Sequence, residues 1–360
     1  MRKLVFLMSA IIIAFSSCQK NNTPAPAKVP SSDLRNLPSA TTAVTPGTDV
    51  YVAGGYATPT SGVAAYWKNG TLVTLNDGFS LFDIAVSGND VYVAGSSLGA
   101  LQLDHAAYWK NGVIHYLNFG TSTTFLSTAY GVAINGSDVY VVGDYIDRST
   151  PSNVSLAMLW KNGVPQVLSS GSARAIALIG NDVYITGYSL SGSNTTVATV
   201  WKNGVPTKLT GGQIVSSGND IAVSGSDVYI CGYTIANSSS ASAAVYWKNG
   251  VLNPIRSNAH ALAITINNNN VYIAGLVYYP DGTNQAVSWK NNAATATVYG
   301  PLNTLEAQGI AVSGSDTYVL AQQSGSVGES TQSNIYYYKN GTAYLVSYNA
   351  VGNKIRVVQN

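Results

Sequence analysis

Charged residues, cysteines and histidines are scarce in this sequence. Only 9% of the 360 residues are charged and the formal net charge is +2, so no basic face is available to neutralise the phosphates of a nucleic acid. The two cysteines are too few for a disulfide framework. The three histidines lack the spacing of metal ligands. We therefore expect no nucleic-acid partner, no metal site and no cofactor.

Catalytic motifs are also missing. The sequence has no Gly-x-Ser-x-Gly elbow, no Cys/His pair and no phosphate-binding glycine loop. A glycosidase would need two carboxylates on either side of the scissile bond, and the best pair, Asp83 and Asp220, belongs to distant parts of the chain. Catalysis has little support, although these absences do not exclude an enzyme.

A repeated motif dominates what is present. All six tryptophans lie in a Trp-Lys-Asn segment that recurs at the spacing of propeller blades, roughly 40 to 50 residues. A seventh copy has tyrosine in place of tryptophan. The seven copies are centred on Trp67, Trp109, Trp160, Trp201, Trp247, Trp289 and Tyr338.

Each motif follows two β-rich runs joined by a Gly/Ser/Asn/Asp turn, as in residues 84–95. Asn-Gly after the tryptophan suits a type I′ hairpin, because both central residues there need a positive φ. Four strands in each of seven repeats predict an all-β protein: a seven-bladed β-propeller over residues 40–347, with four antiparallel strands per blade.

The N-terminus predicts export. Arg2 and Lys3 precede an apolar run that is too short to span a bilayer as a mature helix. Residues 1–17 are interpreted as a lipoprotein signal peptide, Cys18 as the lipidated residue, and residues 18–39 as a lipidated, flexible tether. The alternative is an ordinary signal peptide with a cysteine near its end. We expect a monomeric outer-membrane lipoprotein, facing the periplasm or the cell surface and held to the membrane by its lipid.

Repeated residues have structural interpretations first. A tryptophan between apolar neighbours on one strand of each repeat is expected to pack between blades, with sugar stacking as the alternative. The aspartates that begin the second strand of most repeats are expected to accept backbone N–H bonds in the turn, with calcium binding as the alternative. Cys231 is expected to be a small buried side chain.

Candidate ligand residues lie where the repeats differ. The position two residues before the first apolar residue of each innermost strand is different in every repeat, and two repeats add an aspartate after it. These side chains should surround the mouth of the central channel and suit a polar ligand, unless strand ends simply tolerate any residue. The candidates are Phe82, Asp83, Tyr130, Arg174, Asn219, Asp220, His260 and Gln308, with Ala40 in the first repeat.

These motifs carry a family resemblance. Residues 309–319 and 221–233 resemble the SBBP-type β-propeller repeat, and the Ala-x-x-Trp-Lys-Asn-Gly hairpins resemble the extracellular HAF-type repeat. The cysteine and its tether are similar to the start of outer-membrane lipoproteins of the Bacteroidota. The resemblance implies a secreted bacterial propeller without implying an activity.

Two points remain open in the sequence. Residues 348–360 are β-rich and either form a closing strand that clasps the first and last blades or begin a vestigial eighth. The predicted function is binding of a glycan or other polar small molecule at the variable face. The alternative is a protein–protein interaction scaffold in a cell-envelope assembly, for which Leu98, Leu101 and Leu103 are a candidate apolar patch.

Overall fold

The computed structural model describes residues 47–58, 62–98, 103–119, 125–148, 153–192, 195–237, 241–293, 296–299, 305–327 and 330–360. Within these ranges the chain forms strands and turns and contains no helix, which confirms the all-β prediction. Accordingly, this part of the chain has no helix long and apolar enough to cross a membrane. The predicted signal peptide, Cys18, the tether, Ala40 and Leu101 lie outside the described residues.

The strands form antiparallel sheets. The first three are β1 (Thr48–Ala57), β2 (Gly62–Lys68) and β3 (Thr71–Thr74). The next sheet contains β4 (Gly78–Ser87), β5 (Asp90–Leu98), β6 (Asp104–Lys110) and β7 (Val113–Tyr116). A seven-stranded sheet follows, with β8 (Phe125–Asn135), β9 (Asp138–Asp147), β10 (Ser155–Lys161), β11 (Val164–Ile179), β12 (Asp182–Leu190), β13 (Thr196–Lys202) and β14 (Val205–Lys208).

Three further four-stranded sheets and one last strand complete the order. They contain β15 (Val215–Ser224), β16 (Asp227–Ile235), β17 (Ala243–Lys248) and β18 (Val251–Ser257); β19 (Ala259–Asn267), β20 (Asn270–Tyr278), β21 (Asn284–Lys290) and β22 (Thr297–Tyr299); and β23 (Leu305–Ser313), β24 (Asp316–Val327), β25 (Ser330–Lys339) and β26 (Thr342–Ser347). The last strand is β27 (Ala350–Gln359).

Two strands have unusual partners. The long strand β11 pairs with β10 through its first part, up to Ser170, and with β12 through its second part, from Gly171 onward. It therefore occupies two positions that separate strands hold elsewhere. The C-terminal strand β27 pairs with β1 and stands first in the order β27-β1-β2-β3. Chain segments from both ends of the described region thus share one sheet.

The Asn-Gly hairpins adopt the predicted turn. Asn69 has φ 51° and Gly70 has φ 77°, and two successive positive angles recur after the other five tryptophans, with Asn292 in place of glycine after Trp289, and after Tyr338. Asparagine tolerates this left-handed region better than other non-glycine residues, and glycine has no Cβ to clash there. The prediction of a type I′ geometry, with both central residues at positive φ, is confirmed.

The tryptophans form the core between sheets. All six are buried, with relative exposure of 2% or less. Trp109 packs with Tyr51 and Ala53 of the preceding repeat, and Trp201 packs with Tyr140 and Val142 of the repeat before its own. The prediction that tryptophan packs between repeats is confirmed, and buried rings offer no face to a sugar.

The repeated polar residues join two turns of the same sheet. In the first repeat, the Asn69 amide donates to an Asp49 carboxylate oxygen at 2.7 Å, and Lys68 forms an ion pair with the other oxygen at 2.8 Å. The Asn69 carbonyl oxygen accepts the Val50 backbone N–H at 2.8 Å, and the Lys68 ammonium lies 5.3 Å from the Tyr51 ring centroid. The prediction that the aspartate accepts the backbone N–H is wrong, because asparagine does so.

Candidate functional site

Seven strands, which we call the first strands, carry a one-residue β-bulge at the same place in their pairing with a neighbour, which we call the second strand. The first strands are β4, β8, β11, β15, β19, β23 and β27. The bulged residue has no partner on the second strand, so its side chain is turned relative to its neighbours. All seven bulged residues are half-buried, whereas the residues on both sides are buried, Lys354 excepted. The seven are Phe82, Tyr130, Arg174, Asn219, Leu262, Gln308 and Asn353.

The predicted alignment is wrong in the sixth repeat. Leu262 occupies the bulge there, and His260 lies two residues earlier, opposite Leu276. The sequence prediction took Leu262 and Ala263 as the start of the strand pattern, whereas Ile264 is the buried apolar residue equivalent to Ile84. In the first sheet the bulge belongs to Asn353 of β27.

Glycine on the second strand accommodates the bulge in six of the seven cases. A Cβ on Gly143 would overlap with the carbonyl oxygen of Thr128, two residues before the bulged Tyr130. The equivalent overlap arises for Gly54, Gly95, Gly187, Gly232 and Gly275. The close backbone approach explains why the second strand repeats a glycine. In the last sheet Ala321 takes this place.

The two predicted aspartates are engaged with backbone and with cations. Asp83 is 5% exposed, and its carboxylate accepts the N–H groups of Ile84 at 2.9 Å and of Val132, in the next sheet, at 3.0 Å. Asp220 is 6% exposed and accepts the Ile264 N–H of the next sheet at 3.1 Å. Both carboxylates therefore hold neighbouring sheets together.

Cations of the C-terminal strand neutralise these carboxylates. The Lys354 ammonium lies 2.9 Å from both carboxylate oxygens of Asp220. Arg356 lies 3.8 Å from Asp83 and donates its Nε–H to the Ile84 carbonyl at 3.0 Å. Because buried charges need such partners, the four groups form a structural set.

Amide side chains at two bulges also link neighbouring sheets. The Asn219 side chain donates to the Ala261 carbonyl at 2.8 Å, and the Asn353 side chain donates to the Leu81 carbonyl at 2.7 Å. Each bond links the first strands of neighbouring sheets. Gln308 instead donates to Glu306 within its own strand at 2.6 Å.

The remaining predicted residues join an aromatic arc, which we define as Phe82, Tyr130, Arg174, Tyr188, Tyr233, His260 and Tyr278. Its first part runs across three first strands. The rings of Phe82 and Tyr130 meet edge to face with centroids 5.1 Å apart. The Arg174 guanidinium lies 4.3 Å from the Tyr130 centroid and 5.8 Å from that of Tyr188, distances at which a cation is attracted by the ring face.

Asp144 lies beneath this part of the arc. It is 9% exposed, and its carboxylate accepts the Ser172 hydroxyl at 3.0 Å. Burial raises the pKa of Asp144, although the charge of Arg174 and hydrogen bonds from Ser172 and Tyr130 oppose the increase. Burial lowers the pKa of Arg174, but Tyr130, Asp144 and Tyr188 raise it above its ordinary value. The guanidinium therefore stays charged in a largely dry setting.

The second part of the arc is neutral. His260 stacks on Tyr233 with centroids 4.4 Å apart and meets Tyr278 edge to face at 5.3 Å. The Tyr278 hydroxyl lies 3.4 Å from the His260 Nδ1. Burial lowers the pKa of His260 to about 4, so the imidazole is uncharged at neutral pH. Flat neutral rings with hydroxyl and ring-nitrogen groups suit a sugar or another polar ring.

Sequence reasoning missed Tyr188, Tyr233, Tyr278 and Asp144. Three of them share one signal: Asp144, Tyr188 and Tyr233 directly follow the glycine that accommodates the bulge. That position varies between repeats, as the bulged position does. Tyr278 follows the equivalent glycine by three residues and carries no such signal.

Other candidate chemistry is not assembled in the described part of the chain. The described residues contain no group of three or more His, Cys, Asp or Glu side chains able to hold a metal ion. Cys231 is a free, fully buried thiol on β16, and burial raises its pKa well above the ordinary value. It is the small buried side chain that the sequence predicts.

Solved structures support the fold. The acylaminoacyl peptidase of Pyrococcus horikoshii matches with TM-score 0.51 and 10% identity, over 84% of this chain and 50% of that chain. The β-propeller domain of the Trilobed protease from Pyrococcus furiosus, which has an open velcro topology, matches with TM-score 0.51 and 8% identity, over 83% and 92%. This chain spans about half the length of the acylaminoacyl peptidase. The likeness shows a β-propeller fold and nothing of activity.

Sequence comparisons add no relative. No family model matches the chain, and no curated protein matches it. The resemblance to SBBP-type and HAF-type repeats therefore rests on the motifs alone.

Proposed function

We propose that this chain is a seven-bladed propeller that binds a glycan or another polar small molecule at the aromatic arc. Seven blades follow if β11 is divided between two sheets and β27 is the innermost strand of the first. The bulged side chains then surround one end of the central channel. Propellers and other rigid scaffolds present ligand-binding residues at such concave ends.

The observation that carries the proposal is the pairing of His260 with Tyr233. Two flat, half-buried rings stack at 4.4 Å, and no other repeat of the described residues has a histidine at the position of His260 to form the same stack. A stack that served only folding would be expected to recur, as the buried tryptophans do. Aromatic rings at a concave site bind sugar rings through their apolar faces.

The sequence prediction of a lipid anchor is part of the proposal. Acylation of Cys18 would place the propeller at the outer membrane as a bacterial lipoprotein of the SBBP-like and HAF-like type. We expect Cys18→Ala to move the protein from the membrane fraction to the soluble fraction in cells.

A glycan-binding screen on the full chain tests the binding function. We expect the double variant Tyr233→Ala, His260→Ala to lose roughly 10-fold in affinity for the saccharide found, as two stacking contacts are each worth about 0.5–1.5 kcal/mol. The matched control is Tyr108→Ala, His115→Ala, which removes another stacked Tyr–His pair, 4.6 Å apart, on β6 and β7.

Equal affinity in both double variants would place the site elsewhere. Absence of binding to every saccharide would favour the alternative, a protein-interaction scaffold. Leu98, which is 41% exposed, would be the first position to examine in that case.

A further inference from the structure

We propose that the ligand carries a carboxylate and that Arg174 binds it. The inference rests on the proposed function of saccharide binding at the aromatic arc. It names the chemical class within that function: saccharides with uronic acid residues, in which a carboxylate is attached to a pyranose ring.

Arg174 differs from the other cations near the bulges. Lys354 is paired with Asp220 at 2.9 Å, and Arg356 lies 3.8 Å from Asp83. No carboxylate oxygen of the described residues lies within 4.0 Å of an Arg174 side-chain nitrogen. Arg174 is therefore a charged group near the bulges without an ion-pair partner among these residues.

The Arg174 guanidinium has five N–H donors, and its side chain contacts the rings of Tyr130 and Tyr188. A guanidinium over a tyrosine face uses its flat surface for that contact. Its N–H groups point outward in its own plane, where they match the two oxygens of a carboxylate. Contacts with Tyr130 at 4.3 Å and Tyr188 at 5.8 Å help to hold the guanidinium in position.

Asp144 is the acid that acts on the charge of Arg174, but it forms no ion pair with the guanidinium and so leaves a place for a ligand carboxylate. Its carboxylate accepts the Ser172 hydroxyl at 3.0 Å, on the buried side of the strand. Tyr130, Tyr188 and Tyr233 are the other titratable groups around the guanidinium, and all three are neutral at physiological pH because burial raises the pKa of each. A ligand carboxylate therefore meets a cation among mainly neutral groups.

The two parts of the arc then divide the recognition of one ligand. Arg174 supplies charge on the side of β11, and the His260–Tyr233 stack supplies neutral ring surface on the side of β16 and β19. A uronic acid combines both features in one residue. A neutral saccharide would form no charge-assisted pair with the guanidinium.

Calorimetric titration with uronic-acid oligosaccharides, each beside its methyl ester, tests the inference on the full chain. Esterification removes the charge and keeps the ring. We expect the acid to bind roughly 10-fold tighter than the ester or better, because hydrogen bonds to charged groups are worth about 1.5–3 kcal/mol. Arg174→Gln should weaken binding of the acid roughly 10- to 100-fold and leave the ester nearly unchanged.

Arg256→Gln is the matched control, because Arg256 is exposed on the outer strand β18 and the substitution removes the same charge. It should leave both affinities unchanged. Melting temperatures establish that each variant is folded. If Arg174→Gln does not fold, Arg174→Lys is used instead, because it keeps the charge without the planar donors. Its affinity for the acid should lie between the affinities of the native chain for the acid and for the ester.

The outcomes separate the two proposals. Equal affinity of the native chain for acid and ester, or binding of neutral saccharides alone, overturns the carboxylate inference and leaves the binding function standing. Absence of binding to acid, ester and every neutral saccharide overturns the binding function as well. Loss of acid binding in Arg256→Gln equal to that in Arg174→Gln would also overturn the inference, since the effect would then be one of net charge.

Discussion

The two ends of each sheet use polar residues in opposite ways. At one end, the turns carry the same aspartate, lysine, asparagine and tyrosine in almost every repeat, with ion pairs of 2.8 Å in six of them. At the other end, the bulged residues vary: asparagine occurs twice, and the other five residues are all different. Identical contacts serve the chain itself, because every repeat has the same folding problem. A feature found once is available for a ligand.

Burial also differs between the two ends. The turn aspartates are mostly a third or more exposed, as Asp182 is at 42%, so each of their ion pairs contributes little to stability. The carboxylates near the bulges, Asp83 and Asp220, have side chains only 8% exposed. The bulge end therefore has few charges, and these are buried and paired. We therefore expect substitutions at the two ends to have distinct signatures, and four predictions test this.

The largest effect is expected between the ends, in the core that both share. Trp201→Ala should lower the free energy of unfolding by about 3–5 kcal/mol, because it leaves a cavity under a fully buried ring. Urea denaturation measures the change. Val205→Ala on the outer strand, where the valine is 66% exposed, is the control and should stay within about 0.5 kcal/mol. A Trp201→Ala protein as stable as this control would refute the packing of tryptophan between repeats.

A smaller effect is expected from the buried ion pair near the bulges. Lys354→Met should cost about 3 kcal/mol, because Asp220 would remain buried without its cation. Adding Asp220→Asn should recover part of that loss. The comparison is Lys161→Met, which removes the exposed partner of Asp138 at the turn end and should cost much less. Similar losses for the two lysines would remove the distinction between the ends.

The sequence predicted the repeated end better than the variable end, for a physical reason. Seven copies of one motif fix which residues pair, so the tryptophan packing and the positive φ of Asn69 and Gly70 could be derived. Placement at the bulge end depends on one extra residue per strand. Where the apolar pattern is ambiguous, as in Ala-Leu-Ala-Ile around Leu262, the alignment slipped by two residues and put His260 in the wrong position.

Some contacts could not be derived from the sequence at all. The bond pattern of Asp220 depends on Lys354, which is 134 residues away in the chain. The repeated motif describes each copy separately, so it cannot show a pair made between different copies. The sequence likewise suggested Asp83 as a candidate ligand residue, although the Asp83 carboxylate accepts the N–H group of Val132 in the next sheet.

The pH dependence of His260 probes the bulge end. Burial lowers its pKa to about 4 in the folded chain, whereas an unfolded histidine titrates near 6.5. The unfolded state therefore takes up the proton first, and folding stability falls as the pH drops from about 6.5 towards 4. Asp104, Asp144 and Glu306, whose pKa values burial raises, act in the opposite direction. The difference between the native chain and His260→Gln, measured by urea denaturation at pH 7 and pH 5, isolates the histidine. We expect the native chain to lose more stability than the variant.

The smallest effect is expected from a single turn aspartate at low pH. Hydrogen bonds from Lys161 and Asn162 hold the pKa of Asp138 below its ordinary value. Because a carboxylate with a lowered folded pKa contributes stability above its unfolded pKa of about 3.9, that contribution is lost only as the pH falls through the folded value. The native chain should therefore exceed Asp138→Asn slightly in unfolding free energy at pH 7 and pH 5, and the difference should shrink at pH 3. Six repeats share this contact, so the native chain should lose six such contributions to its unfolding free energy below pH 4. The single histidine changes the unfolding free energy above that pH. A difference in unfolding free energy that stays constant to pH 3 would mean that neutral hydrogen bonds, and not the charge of Asp138, stabilise the turn. The charged contacts would then not explain the stability of the turn end.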